Sequence, residues 1–337
     1  MFQEAPQMAN TYSDQQSLVI GRCLVTGAGG FIGLQLCSQL QKHNIPVRML
    51  LRKPISSGKS TDTVIGELGS DNISYESLLC EIDTVFHLAN TAHISAASDC
   101  YKIDCEVTLA LARNAQQAGV RRFVFISSTK AAADPGLYKC DESWDEWPND
   151  GYGYWKRKTE ERLLNEINIP HVAIVRPSLV YGAGVKGNLQ KLICAIDKGY
   201  CPPLPDIAAE RSMVSVHDVV SAILIAAVHI DANRQPLIVA DGEAYTPFSI
   251  YLAIRAVLGK GKPGWSLPLP LLTSAGFLGD FLQRIWKTCP ISSEVVSRLT
   301  EPCAYSSNKL RQLGWRPSTT FYKELPAIIA ACQDVKL

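Results

Sequence analysis

Short apolar runs alternating with amphipathic helical stretches predict an α/β protein built on a doubly wound parallel sheet. Two further observations support this: a glycine-rich turn joins the first strand to the first helix, and the texture of the chain changes after Tyr181. In order, the apolar runs Arg22–Thr26, Val47–Leu51, Thr84–Leu88, Phe123–Ser127 and His171–Arg176 are short enough to be buried strands. Between them, Phe31–His43, Tyr101–Ala118 and Tyr152–Asn168 repeat apolar residues at helical spacing. Ligands of such sheets bind beyond the carboxyl ends of the strands, so motifs there carry the functional argument.

After Tyr181, Gly and Pro become denser, as in Cys201-Pro202-Pro203-Leu204-Pro205 and from Pro263 to Pro270. This half reads as a smaller, mostly helical lobe, with Leu237–Ala240 as a strand returning to the sheet. The expected organisation is a disordered lead-in over residues 1–16 and a nucleotide-binding domain over 17–180, rejoined by a segment near 212–242. Residues 181–211 and 243–337 form the substrate lobe.

The chain of 337 residues has room for both units. A net charge of +1 and the lack of a basic run argue against nucleic acid as a partner. The longest apolar stretch, Val219 to Ile230, is too short to span a bilayer and reads as a buried helix. The 11 cysteines are scattered, without Cys-x-x-Cys or metal-ligand spacing. Cys23, Cys37 and Cys194 fall in apolar runs, as buried free thiols do, and a reducing cytoplasm is the expected compartment. No metal site is expected.

The stretch Cys23-Leu-Val-Thr-Gly-Ala-Gly-Gly-Phe-Ile-Gly33 places a glycine loop between strand and helix, the context a dinucleotide's phosphates require. Gly27 allows the tight turn, Gly30 lets the backbone approach a pyrophosphate, and Gly33 lets the helix pack closely on its strand. The helix N-terminus then offers free N–H groups to the phosphates. Downstream, Tyr152-Gly-Tyr-Trp-Lys156 sets a tyrosine and a lysine on one helix face. The lysine's charge can stabilise a phenolate and bring a group of ordinary pKa about 10 towards working pH.

The spacing Gly27-x-x-Gly30-x-x-Gly33 together with Tyr-x-x-x-Lys resembles the extended short-chain dehydrogenase/reductase family, of the NAD-dependent epimerase/dehydratase type, over Leu18 to Pro326. The resemblance implies a Rossmann-type fold. It also implies Ser128 of Phe125-Ile-Ser-Ser-Thr129 as the hydroxyl that polarises the substrate, with Thr129 as its alternative and substrate contact. Tyr152 and Lys156 complete the implied catalytic group. Phe31, Ile32, Leu88, Ala89 and Pro177 line the implied cofactor site with the glycines, and His87 in the fourth-strand motif is structural in such proteins. Gly187-Asn188-Leu189 and Arg211-Ser-Met-Val-Ser-Val-His-Asp218 resemble the nucleotide-sugar branch, similar to UDP-N-acetylhexosamine 4-epimerases and 4-keto reductases. There Asn188, Leu189, Arg211 and Arg298 hold the substrate, with Glu301 as a ribose acid. Departures from the pattern are Asp104 for asparagine, Trp155 for serine, and Ala131-Ala132-Ala133 after the serine motif.

An acid at the end of the second strand would bind the ribose of NAD; this chain has Leu51 followed by Arg52, which suits the 2′-phosphate of NADP. Glu67 stands where relatives use an acid for the adenine amino group. The expected activity is reduction of a UDP-4-keto-N-acetylhexosamine at C4 in surface-polysaccharide synthesis, with NADP(H) favoured and NAD(H) open. Alternatives are a UDP-sugar 4-epimerase with retained NAD, a reductase of steroid- or flavonoid-like ketones, and a non-catalytic cofactor sensor. A homodimer is left open.

Overall fold

The computed structural model describes residues 20–54, 62–90, 98–132, 139–149, 151–285 and 292–334; the expected lead-in and Ala133 lie outside them. Seven strands form one parallel sheet: β1 (Cys23–Thr26), β2 (Val47–Leu51), β3 (Thr63–Ile65), β4 (Thr84–His87), β5 (Arg122–Ile126), β6 (His171–Pro177) and β9 (Pro236–Val239). Their order is β3-β2-β1-β4-β5-β6-β9, reversing direction beside β1, so the crevice for a ligand opens there.

Alternation along the strands explains the two layers of helices. Cys23 and Val25 face one way and pack with Leu36, Cys37 and Leu40 of helix α1 (Phe31–Lys42). Leu24 faces the other way, with Leu78 and Leu79 of α2 (Tyr75–Leu79), Leu109 and Ala112 of α3 (Ser98–Gln117) and Leu163 of α4 (Gly151–Glu166). Each fully buried Leu contributes about 1.5–3 kcal/mol. The five expected strands and three expected helices are present, with every end within three residues of expectation. The short β3 lies outside the expectation, because Thr63-Val-Ile65 has only one edge of the sheet to pair with and its alternate side chains are exposed.

Beyond β6 the chain differs more from expectation. Leu179–Tyr181 (β7) and Met213–Ser215 (β8) form a separate parallel pair that the sequence pattern does not announce. Three-residue strands separated by a helix carry too little periodicity to read. That helix is α5 (Asn188–Asp197). Ser215 accepts a bond from His217 N and starts α6 (Val216–Val228), which returns to the first core before β9. A second core gathers Leu189, Ile193, Met213 and Tyr245 with α7 (Pro247–Val257) and α11 (Phe321–Asp334). Helices α8 (Leu269–Ile285), α9 (Ser293–Thr300) and α10 (Asn308–Gln312) complete the described elements. Trp315 is buried in the first core and donates to Asp218 O at 3.1 Å, and the Asp218 carboxylate accepts from Ser318. The C-terminal segment is thereby fastened to α6.

All ten described cysteines are free thiols, with Cys23 and Cys37 buried and Cys194 only half-buried. Among the described residues there is no cluster able to hold a metal ion and no helix long and apolar enough to cross a membrane.

Candidate active site

Gly27 has a φ of +68°, and a Cβ there would lie 2.7 Å from Ala89 N. At Gly33 a Cβ would lie 2.3 Å from Gly27 O, so the α1 backbone rests directly on the turn. Gly30 caps α1 without any side-chain hydrogen bond, and the first turn carries no acid. Its N–H groups and positive dipole end are therefore available to an anion. Phe31 and Ile32 open the helix, and Ile32 and Leu88 pack against the first core. Ala89 N donates to Thr26 Oγ1 at 3.3 Å, fastening the end of β4 to the loop.

Leu51 ends β2, buried, with its side chain beside Gly29; Arg52 follows and is exposed. Gly66 N donates to Leu51 O at 2.8 Å, which brings the exposed Glu67 alongside. Pro177 ends β6, buried. The buried hydroxyls of Ser127 and Ser178, beyond β5 and at the end of β6, have no hydrogen-bond partner within the described protein. A glycine cradle, an uncapped helix end and two orphaned hydroxyls fit a dinucleotide with a polar ring.

Tyr152 and Lys156 stand on α4 one turn apart. The Lys156 ammonium is buried, 4.7 Å from the Phe125 ring centroid, 5.9 Å from that of Tyr152, and 3.5 Å from the Ile126 carbonyl. Burial pushes its pKa down to about 8, while the negative charges of Asp104 and Glu160 hold it up. The Tyr152 hydroxyl accepts from Asn90 Nδ2 at 3.5 Å, and its ring meets Tyr101 edge-on at 5.7 Å. Asn90, Tyr101, Asp104, Tyr152 and Lys156 line one cavity at the carboxyl ends of β4 and β5. Trp155, the departure before the lysine, lines it too.

Ser128 follows β5, and its Oγ accepts from Lys130 N at 3.2 Å. Thr129, buried, begins the 3₁₀ turn Thr129–Ala132, which packs on α4. Ala131 and Ala132 in this turn are fully buried, Ala132 in a cluster with Cys140, Ile238 and Tyr305. His87 bridges Thr26 Oγ1 (2.7 Å) and Thr108 Oγ1 (2.9 Å), and the Thr108 hydroxyl in turn donates to Asp104 O. Because Thr108 gives its proton to Asp104 O, Nε2 is the donor to Thr108, and a neutral His87 then accepts from Thr26 on Nδ1. Burial, then the Lys156 charge, lowers its pKa to about 3, so it stays neutral and acts as a strut.

In the second lobe Asn188 is exposed at the first turn of α5, and Leu189 is buried beneath it. The Arg211 backbone bridges to Tyr245 and Cys303, and its Nη2 donates to Glu301 O at 3.3 Å. The Arg211 and Arg298–Glu301 motifs, far apart in sequence, therefore meet. Arg298 lies on α9, and its side chain falls outside the described part of the structure. Asn90, Tyr101 and Thr108 were not legible as site residues. Asn90 has the better signal, standing directly after the Leu88-Ala89 pair at the end of β4.

The chain is 29% identical over 312 residues to the UDP-glucose 4-epimerase of Vibrio cholerae, covering 88% of this chain and 91% of that one. It is 25% identical over 333 residues to a 3-beta-hydroxysteroid dehydrogenase of Mycolicibacterium neoaurum, covering 89% and 88%. Its fold superposes on the UDP-glucose 4-epimerase of Thermus thermophilus in complex with NAD at a TM-score of 0.71 and 20% identity, covering 93% of this chain and 99% of the other. Residues 23–240 match the NAD dependent epimerase/dehydratase family, and with the glycine cradle and the Tyr152–Lys156 pair in place the chain belongs to that family as an NAD-dependent enzyme.

Proposed function

We propose that this enzyme acts at C4 of a nucleotide-activated hexose, reducing a UDP-4-keto-N-acetylhexosamine with NADP(H) favoured. The observation that carries the sugar-nucleotide reading is Arg211, held with its guanidinium at the Glu301 carbonyl beside the Arg298–Glu301 segment. A planar fork fixed in this way suits a diphosphate. An apolar ketone, as the name of the steroid dehydrogenase relative implies for that protein, would give this cation nothing to bind. A sensor without chemistry would have no use for a buried lysine beneath Tyr152.

A bound nicotinamide would supply the hydride chemistry at the sugar carbon. The glycine loop and the N-terminus of α1 would hold the pyrophosphate, and Arg52, exposed just after β2, would offer its charge to a 2′-phosphate. Tyr152 moves the proton at the C4 oxygen, Lys156 lowers the cost of its phenolate, and Ser128 donates to the carbonyl oxygen. Asn90 holds the Tyr152 hydroxyl towards the cavity.

Epimerisation at C4 with retained NAD uses the same groups, and the Vibrio cholerae relative's name favours it. Exposed Arg52 after Leu51 favours reduction. Incubation with UDP-4-keto sugars and UDP-hexoses, with NADPH absorbance and sugar products both followed, separates them. Stoichiometric NADPH consumption is expected; interconversion of UDP-hexoses without it overturns the reductase reading. Calorimetric titration with UDP tests the shared element: Arg211→Ala is expected to weaken binding by about 1.5–3 kcal/mol, with partial rescue by Lys. Equal binding by wild type and Arg211→Ala overturns the nucleotide-sugar reading.

A further inference from the structure

Helix α8 presents two faces of different fate. Leu272, Gly276 and Gly279 point inward, and a Cβ at Gly276 would meet Val296 at 3.0 Å and the Ser293 backbone at 3.2 Å. Asp280 accepts from Ser293 N at 3.0 Å and locks the same register. This close packing on α9 fixes the opposite face outward. There Leu271, Phe277 and Leu278 stand in water, Phe277 at 70% exposure. Leu269 and, just before the helix, Trp265 at 59% continue the surface. Two bonds, Lys260 Nζ to Asp197 O (2.6 Å) and Leu267 N to Pro203 O (3.0 Å), bring the turn carrying the exposed Tyr200 to the same region. An exposed apolar set of this size marks a surface that something covers.

Charge identifies the cover. Residues 244–279 contain Arg255, Lys260 and Lys262 and no carboxylate. Arg255 Nε donates to Gly261 O at 2.9 Å, which gathers the three cations at one turn, next to Trp265. A second copy docking here through the same patch would bring no carboxylate from residues 244–279 to answer these cations. An anionic bilayer instead offers phosphates to the cations and acyl chains to Leu271, Phe277 and Leu278, while an indole sits well at the headgroup level. We propose that α8 and the 255–265 turn form a docking surface for an anionic phospholipid membrane, on which the enzyme rests peripherally. This stands apart from the substrate assignment, because its readout is binding to lipid and not turnover.

The test is co-sedimentation of the full chain with vesicles of phosphatidylcholine alone or mixed with phosphatidylglycerol. Binding is expected only to the mixed vesicles, weakening as salt screens the cations. Lys260→Glu with Lys262→Glu is expected to reduce partition by about tenfold or more, since each cation near such a surface contributes about fivefold. Phe277→Ser with Leu278→Ser is expected to reduce it as strongly, with wild-type-like circular dichroism and thermal unfolding as evidence of folding. Brominated lipid is expected to quench wild-type tryptophan fluorescence, and Trp265→Phe to remove that component, so the wild type and a conservative variant carry the test if Phe277→Ser disturbs the fold. Failure of the wild type to sediment with phosphatidylglycerol vesicles overturns the proposal. So does a dimer that Phe277→Ser dissociates while lipid binding is absent, which would assign the face to a second copy.

Discussion

The Lys156 ammonium lies 4.7 Å from the centre of the Phe125 ring, enclosed by the sheet and by its own helix. Burial away from water makes the charged form costly, which is why its pKa falls from 10.5 to about 8. Activity that needs this cation is expected to decline as pH rises through about 8, read as an alkaline limb in kcat/KM. Asp104→Asn removes a charge that holds the lysine's pKa up, so the limb is expected to move to lower pH. An unmoved limb would assign it to another group. Stability runs the opposite way: the folded state binds fewer protons than the unfolded between about 8 and 10.5, so this group's unfavourable contribution is relieved as pH rises through that window.

Tyr152→Phe removes the hydroxyl that accepts from Asn90 while leaving the ring against Tyr101. Turnover is expected to fall by about 10²–10⁴-fold, with cofactor affinity little changed. Steady-state kinetics beside a cofactor titration checks both halves, and wild-type turnover in the variant would remove Tyr152 from the mechanism.

Gly33→Ala would drive a methyl to within 2.3 Å of Gly27 O, where backbone and not a movable side chain resists. Displacing α1 from the loop is expected to cost about 1–3 kcal/mol in urea unfolding and to weaken dinucleotide binding together with it. Unchanged cofactor affinity would mean that the phosphates are held elsewhere.

Glu160 and Arg176 form a buried pair, with Arg176 Nε 3.0 Å from Glu160 Oε1 and both side chains almost wholly enclosed. Glu160→Gln leaves the guanidinium without its counter-charge, and a loss of about 3–5 kcal/mol is expected in equilibrium unfolding. Replacing both by apolar residues is expected to cost less than the single change.

Cofactor preference rests on the end of β2. Leu51→Asp with Arg52→Asn adds a ribose acceptor and removes the exposed cation, so it is expected to turn a preference for NADP(H) into one for NAD(H). Equal wild-type affinity for both cofactors, measured by fluorescence titration, would show Arg52 to be only solvated.

The amino-acid sequence by itself determined the parallel sheet, the glycine loop and the Tyr152–Lys156 spacing, because each depends on local rules: continuous apolar runs, a turn that excludes side chains, and residues four apart on one helix face. The tertiary structure alone decided what those residues experience. Lys156 is strongly shifted only because β5 and α4 close over it, and His87 is kept neutral by burial and the Lys156 charge and made a strut by Thr26 and Thr108, all distant in sequence. The β7–β8 pair and the meeting of Arg211 with Glu301 were equally illegible, since pairing between segments separated by whole helices leaves no period in the chain. Nor does helical periodicity alone tell that the apolar face of α8 with Phe277 and Leu278 is left uncovered; that follows from Gly276, whose missing side chain lets α9 take the other face.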